Sequence, residues 1–191
     1  MNQKILPACS SMRDFEAFLK SPYEIGVILE IHMTQMKNIG KMAEENGKKI
    51  IYHVDMIHGI KSDNYSTEFI CQEYKPYALI STKSNVVMKA KQKGVLSIQR
   101  IFLIDSHALQ KSYQLLLKTK PDYIEVLPGA MPSIITEVKQ KVKIPLIAGG
   151  LIRTSEDTEK ALAAGAVAVT TSKRELWTQF QPNNTIFTVK N

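Results

Sequence analysis

The sequence predicts an α/β fold of TIM type: a compact (β/α)8 barrel of parallel strands, in one domain spanning residues 1–191. Three observations point there. Eight short apolar runs recur along the chain and are mostly non-alternating, as expected of parallel strands buried on both faces. A helical pattern follows each of them, the arrangement that closes into a barrel. The last two runs end in Gly149-Gly150 and Thr170-Thr171-Ser172, at the strand ends where such barrels gather their functional groups. The competing open, doubly wound sheet normally carries a glycine-rich phosphate loop after its first strand. Here that loop reads CSSMRD and contains no glycine.

In chain order, strands are expected at residues 5–8, 25–30, 50–55, 78–81, 96–100, 123–126, 146–148 and 167–170. Helices are expected at 12–20, 34–45, 66–73, 85–92, 108–118, 133–141 and 155–163, with a short piece at 173–177. The first helix presents Phe15, Phe18 and Leu19 on one face. Pro132 favours the first turn of the sixth. The seventh begins with Thr154 and Asp157 at capping-box spacing and ends at Gly165, suited to a left-handed cap. The tail, residues 178–191, reads as irregular chain or a loosely packed strand.

Hydrophobic residues make up 44% and charged residues 23%, values of an ordinary soluble protein, so no fibrous or disordered class is expected. No apolar run approaches the ~18 residues of a membrane span, and no basic segment leads into an apolar stretch at the N-terminus. Cys9 and Cys71 have no metal or redox spacing and fit packed thiols in a reducing, cytoplasmic setting. The charge is uneven. Between Lys83 and Lys120 stand eight basic residues and one acid, Asp105, a balance equal to the +7 of the whole chain. Such asymmetry fits a polyanionic partner or a solvated lysine-rich face.

The seventh and eighth strand ends read as a phosphate cup. Gly149 and Gly150 let backbone N–H groups approach an anion, and Thr170, Thr171 and Ser172 lead into a short helix whose first N–H groups are free. Arg153 lies just behind and adds positive charge. Other strand ends carry polar groups: Asp55 in HVDMIHG, Arg100 in SIQR, and Glu125 in YIEVLPG with Gly129 in the following turn. An acid on an apolar strand needs a partner or a place at the barrel mouth. Three readings stay open: a mutual buried network, ligands for the hydroxyls of a small polyol phosphate, or catalysis with Asp55 or Glu125 as base and Lys83 or Arg100 stabilising an enolate. His53, His58 and His107 read as ordinary polar residues, since no metal spacing unites them.

In the order HVDMIHGI, EFICQEYKP, STKSNV, GVLSIQRIFLIDSHAL, PDYIEVLPG, IPLIAGGLIRT and ALAAGAVAVTTS, the chain resembles the glycerol-3-phosphate-responsive antiterminator family from about Ile5 to Trp177. The resemblance implies a non-catalytic barrel without cofactor that senses glycerol-3-phosphate in the bacterial cytoplasm. It also implies action on the leader of glycerol-utilisation messenger RNA, so that transcription passes a terminator. Carried onto this chain, Gly149, Gly150, Thr171 and Ser172 become the expected phosphate ligands, with Asp55, Arg100 and Glu125 candidates for the glycerol end and the turn residue Gly129 grouped with them. The expected RNA-facing residues are Lys83, Lys89, Lys91, Lys93 and Lys111, of which Lys89 and Lys93 stand four apart on one helix. No RRM, KH or zinc-knuckle pattern is present. A phosphosugar isomerase or lyase would use the same cup.

Overall fold

The computed structural model describes residues 3–182. Its elements are β1 (Ile5–Cys9), α1 (Met12–Leu19), β2 (Ile25–Ile28), β3 (Ile31–His32), α2 (Met36–Glu45), β4 (Lys49–His53), β5 (Ile57–His58), α3 (Asn64–Glu73), β6 (Ala78–Ser81) and α4 (Ser84–Gln92). They continue as β7 (Leu96–Phe102), α5 (Ser106–Thr119), β8 (Tyr123–Leu127), α6 (Pro132–Lys141), β9 (Leu146–Gly149), α7 (Ser155–Ala163), β10 (Ala168–Thr171) and α8 (Arg174–Gln179). Eight strands close a parallel barrel in the order β1-β10-β9-β8-β7-β6-β4-β2. The expected TIM-type barrel is therefore the fold.

Residues along each barrel strand alternate between two cores. Leu6, Val27, Ile51, Ile80, Ile98 and Ile147 fill the barrel, while Tyr52, Leu79, Val126 and Ala148 face the helices with Phe15, Phe18 and Ile135. Both faces are apolar, which is why these strands read as continuous hydrophobic runs. Cys9 and Cys71 sit in the outer core, where burial pushes their thiols up to about 12 and about 11; they are packing groups.

The strands expected at 25–30 and 50–55 are shorter in the structure. β2 stops at Ile28 and β4 at His53; the chain then leaves the barrel so that Ile31 and His32 can pair with Ile57 and His58 as a separate two-stranded ribbon. Asp55 accordingly lies on the 3-10 turn Val54–Met56 and not on a strand. Several helices begin earlier than apolar periodicity suggests, because the capping acids precede it: Asp63 accepts from Ser66 N at 2.8 Å, and Asp105 from Ala108 N at 2.7 Å. Thr154 and Asp157 form the expected capping box.

The barrel seam between β1 and β10 is locked by α8. Trp177 donates its indole N–H to Thr171 O at 2.8 Å, Tyr23 donates its hydroxyl to Trp177 O at 2.9 Å, and Arg174 bonds Asp14 at 2.6 Å. Thr178 and Gln179 belong to this helix, which corrects the expectation of irregular chain from 178; residues 183–191 of that tail lie outside the described residues.

On β2, Gly26 is required by close approach: a Cβ there would lie 2.7 Å from the ring of Phe18, itself fully buried. Gly26→Ala is expected to destabilise the protein by about 1–3 kcal/mol in urea unfolding, and Phe18→Leu on the same background to recover part of the loss.

Candidate functional site

Toward the C-terminal strand ends the inward positions change from apolar to polar. Above Ile51, Ile98, Ile147 and Ala168 stand His53, Arg100, Gly149 and Thr170, two residues further along the same strands. Glu125 on β8 belongs to this layer and is fully buried. It is held from both sides: Arg100 donates through Nε to Oε2 at 2.6 Å, and Thr170 donates through Oγ1 to Oε1 at 2.7 Å. Register places Arg100 beside Glu125, but Thr170 is two strands away and reaches it across β9. Gly149 makes that crossing possible. A Cβ there would sit 2.6 Å from Thr170 Oγ1 and 2.7 Å from Glu125 Oε1.

Gly129 serves the same corner from outside. Its N–H donates to Gly149 O at 2.6 Å and Gly150 O at 3.1 Å, and a Cβ on it would meet Gly149 N at 2.7 Å. Gly129 thus braces the glycine turn, where sequence reading grouped it with the polyol ligands. Gly150 adopts φ +74, the left-handed region open to glycine.

Beside β10, a cleft of about 370 Å³ opens at the mouth. It brings together Arg100, Gly150, Arg153, Thr170, Thr171 and Ser172, and adds Met56 and Lys173. Thr170 turns its hydroxyl into the barrel to Glu125, and Thr171, on the opposite face, gives its hydroxyl to Ile152 O at 3.3 Å, whereas Ser172, Arg153 and Lys173 are exposed. Lys173 went unnoticed in the sequence, although it directly follows the Thr170-Thr171-Ser172 turn. Arg153 is positioned through its backbone, whose N–H donates to Asp157 at 3.0 Å.

Asp55 stands apart from the cleft. Ser81 and Thr82 donate their hydroxyls to it, the latter at 2.8 Å, and Thr82 N adds a third bond at 2.7 Å. Burial would raise its carboxyl pKa, but these bonds outweigh it and hold the group below the usual range. His53 is 3% exposed, and neither ring nitrogen has a hydrogen-bond partner among the described residues. Burial, then the Arg100 cation, hold its imidazole below the ordinary 6.5 against the opposite pull of Glu125 and Asp55. On the rim, His58 bonds Glu30 at 2.9 Å.

The lysine block is less uniform in space than along the chain. Lys89 and Lys93 both bond Glu68 of α3, Lys89 at 3.3 Å, so this pair is not a free cationic face. Lys91 bonds Lys120 O and approaches Asp122 at 3.9 Å. Lys83 and Lys111 are exposed. Glu68 precedes the block in sequence and only helix packing brings it there. Among the described residues, no helix is long and apolar enough to cross a membrane, and no cluster of His, Cys, Asp and Glu could hold a metal ion.

Residues 5–177 match the family model described as glycerol-3-phosphate responsive antiterminator. The chain belongs to that family. It is similar to the glycerol uptake operon antiterminator regulatory protein of Listeria monocytogenes str. 4b F2365, whose crystal structure matches at TM-score 0.91 with 46% identity over 93% of this chain and 96% of that one. A glycerol uptake operon antiterminator-related protein of Thermotoga maritima MSB8 shares the fold at TM-score 0.82, with 24% identity over 93% of this chain and 99% of that one. The uncharacterised protein YgcP of Escherichia coli (strain K12) is 30% identical, each chain being 91% covered. As a member of the antiterminator family, the chain is a glycerol-3-phosphate-responsive regulator.

Two outcomes test the polar layer. Arg100→Met leaves the buried Glu125 carboxylate unpaired and is expected to cost about 3–5 kcal/mol in urea unfolding, while Arg100→Met with Glu125→Leu recovers much of it. Because His53 titrates lower in the folded chain, the unfolded chain gains its proton first as pH falls. Stability from this group is complete above 6.5 and declines below it, toward the lowered folded value. Between about pH 7.5 and about pH 5.5, His53→Leu is expected to lose less stability than the unaltered protein.

Proposed function

We propose that the mouth beside β9 and β10 binds the phosphate of glycerol-3-phosphate and that this binding controls attachment of the barrel to a leader messenger RNA. The observation carrying the proposal is the cleft at the ends of β9 and β10. There a glycine turn, Ser172 and the cations Arg100, Arg153 and Lys173 converge in a chain whose family responds to that metabolite. A phosphate dianion favours such a setting: planar guanidinium and ammonium donors give charge-assisted bonds, and glycine admits backbone N–H groups. Arg100 spends Nε on Glu125 and has its Nη groups to offer.

The regulatory reading is favoured over an isomerase or lyase by the chemistry of the interior. Its carboxylates are both held by protein donors: Glu125 by Arg100 and Thr170, Asp55 by Ser81 and Thr82. A carboxylate serves as a general base only through an oxygen within reach of the proton it takes, and here both carboxylates are turned to protein donors. The inward layer of His53, Arg100, Glu125, Gly149 and Thr170 also supplies no lysine amine for a Schiff base. For the RNA arm, Lys83, Lys91, Lys111, Lys118 and Lys120 are exposed cations of the block, and the pair Lys89 and Lys93 would have to exchange Glu68 for a backbone phosphate. Two buried free thiols fit a reducing, cytoplasmic setting.

Calorimetric titration with glycerol-3-phosphate, glycerol and inorganic phosphate, repeated in the presence of a glycerol-operon leader RNA, tests both arms. Saturable binding of the ester is expected, tightened by RNA about fivefold or more, with the reciprocal effect on RNA affinity. Arg153→Ala with Lys173→Ala is expected to weaken the ester about tenfold, or roughly 1.4 kcal/mol. Absence of ester binding would overturn the effector site; equal affinity with and without RNA would overturn the coupling.

A further inference from the structure

The donors and acceptors of the inward layer are nearly all matched. Both oxygens of Glu125 are taken, the Thr170 hydroxyl is given to it, and Asp55 receives three donors from Ser81 and Thr82. His53 is the exception, since a buried imidazole with neither nitrogen bonded is uncommon in native interiors. Its direction is set by the strand. Ile51 fills the barrel and Tyr52 faces the helices, so His53 points back inside. Register brings it beside the mouth, although it is not itself a lining residue of the cleft: Ile28 pairs with Tyr52, which puts His53 level with Leu29, and Leu29 lines the cleft. Arg100, from β7, also lines the cleft and is close enough to act on the charge of His53.

Position around the barrel adds the second half. In the closed strand order β4 stands four places from β9, on the opposite wall. A short ligand whose phosphate lies against the loops after β9 and β10 therefore extends its other end toward β4 and β7. A neutral imidazole offers one N–H donor and one acceptor nitrogen, the complement of a hydroxyl, which also gives one and takes one. The ionised carboxylates can only accept and already bond protein donors through both oxygens, and Arg100 can only donate.

We propose that His53 is the specificity-determining contact for the hydroxyl-bearing end of a short phosphorylated polyol bound across the mouth, with the Nη groups of Arg100 beside it. The inference rests on reading the mouth as the effector site. It moves the polyol contact from Asp55 and Glu125, which become the frame, to a residue that sequence reading set aside as ordinary.

The test compares two probes, glycerol-3-phosphate and propyl phosphate, which keeps the phosphate and lacks both hydroxyls. Calorimetry on the unaltered protein is expected to favour the polyol ester by about tenfold or more, because a site built to bond a hydroxyl rejects an analogue without it. His53→Leu should leave propyl phosphate affinity unchanged and remove most of the preference, and His53→Gln, which keeps a donor and an acceptor, should restore part of it. A full preference retained by His53→Leu would overturn the inference and leave the phosphate site standing. If the unaltered protein bound neither probe, the reading of the mouth would fall and the inference with it. Should His53→Leu not fold, imidazole nitrogen resonances of the unaltered protein decide. His53 is expected to shift with glycerol-3-phosphate and not with propyl phosphate, and an unmoved His53 signal would overturn the inference.

Discussion

A single carboxylate buried inside the barrel organises the mouth. Glu125 carries charge above a barrel core of leucine, isoleucine, valine and alanine, and a charge so placed demands partners. Arg100 on the neighbouring strand and Thr170 two strands away supply them, so β7, β8 and β10 share one electrostatic fixture. The strand between contributes only the missing side chain of Gly149. Much of the surrounding geometry follows. Gly149 must stay bare for the fixture to close, Gly129 must stay bare to bond the Gly149 carbonyl, and the turn they form opens the cleft beside β10.

The same fixture divides the polar residues by role. Groups whose valences are filled by the protein form a frame: Glu125, Thr170, Asp55, Ser81 and Thr82. Groups lining the cleft with capacity left are Arg100, Arg153, Lys173 and Ser172, and the buried His53 adds an unbonded imidazole in the inward layer. An anion therefore meets positive charge without meeting an unscreened carboxylate, since the negative charge of Glu125 is already spent on the near side of Arg100.

The barrel was legible because its rules are local in sequence. Doubly buried strands gave unbroken runs such as LIAG, and Thr154 with Asp157 announced a helix start. The glycine turn after β9 and the hydroxyl-rich turn after β10 were legible for the same reason, as glycines and hydroxyls at strand ends need no distant residue to be recognised. What escaped depends on side chains far apart. Glu68 neutralises Lys89 and Lys93 only once α3 packs on α4. Gly129 looked like a ligand-side turn until its N–H was seen to bond the Gly149 carbonyl. His53 looked ordinary because an unmatched imidazole is a property of its surroundings, not of its position in HVDMIHG. The ribbon of β3 and β5 shortened two strands for a pairing of two residues each, too brief to leave a pattern.

The seam between β1 and β10 gives the order in which this protein can become competent during synthesis. Tyr23 and Trp177 are separated by 154 positions, yet their bond, and the pairing of Ile5 with Val169, closes the ring. Such long-range closure is slow compared with local helix formation. A ribosome-bound chain that ends before β10 lacks Thr170, and so leaves Glu125 half-matched and the cleft without a wall. On the proposed reading of the mouth, sensing is thus confined to the finished molecule: a truncated product retains much of the apolar strand sequence but lacks the cleft beside β10.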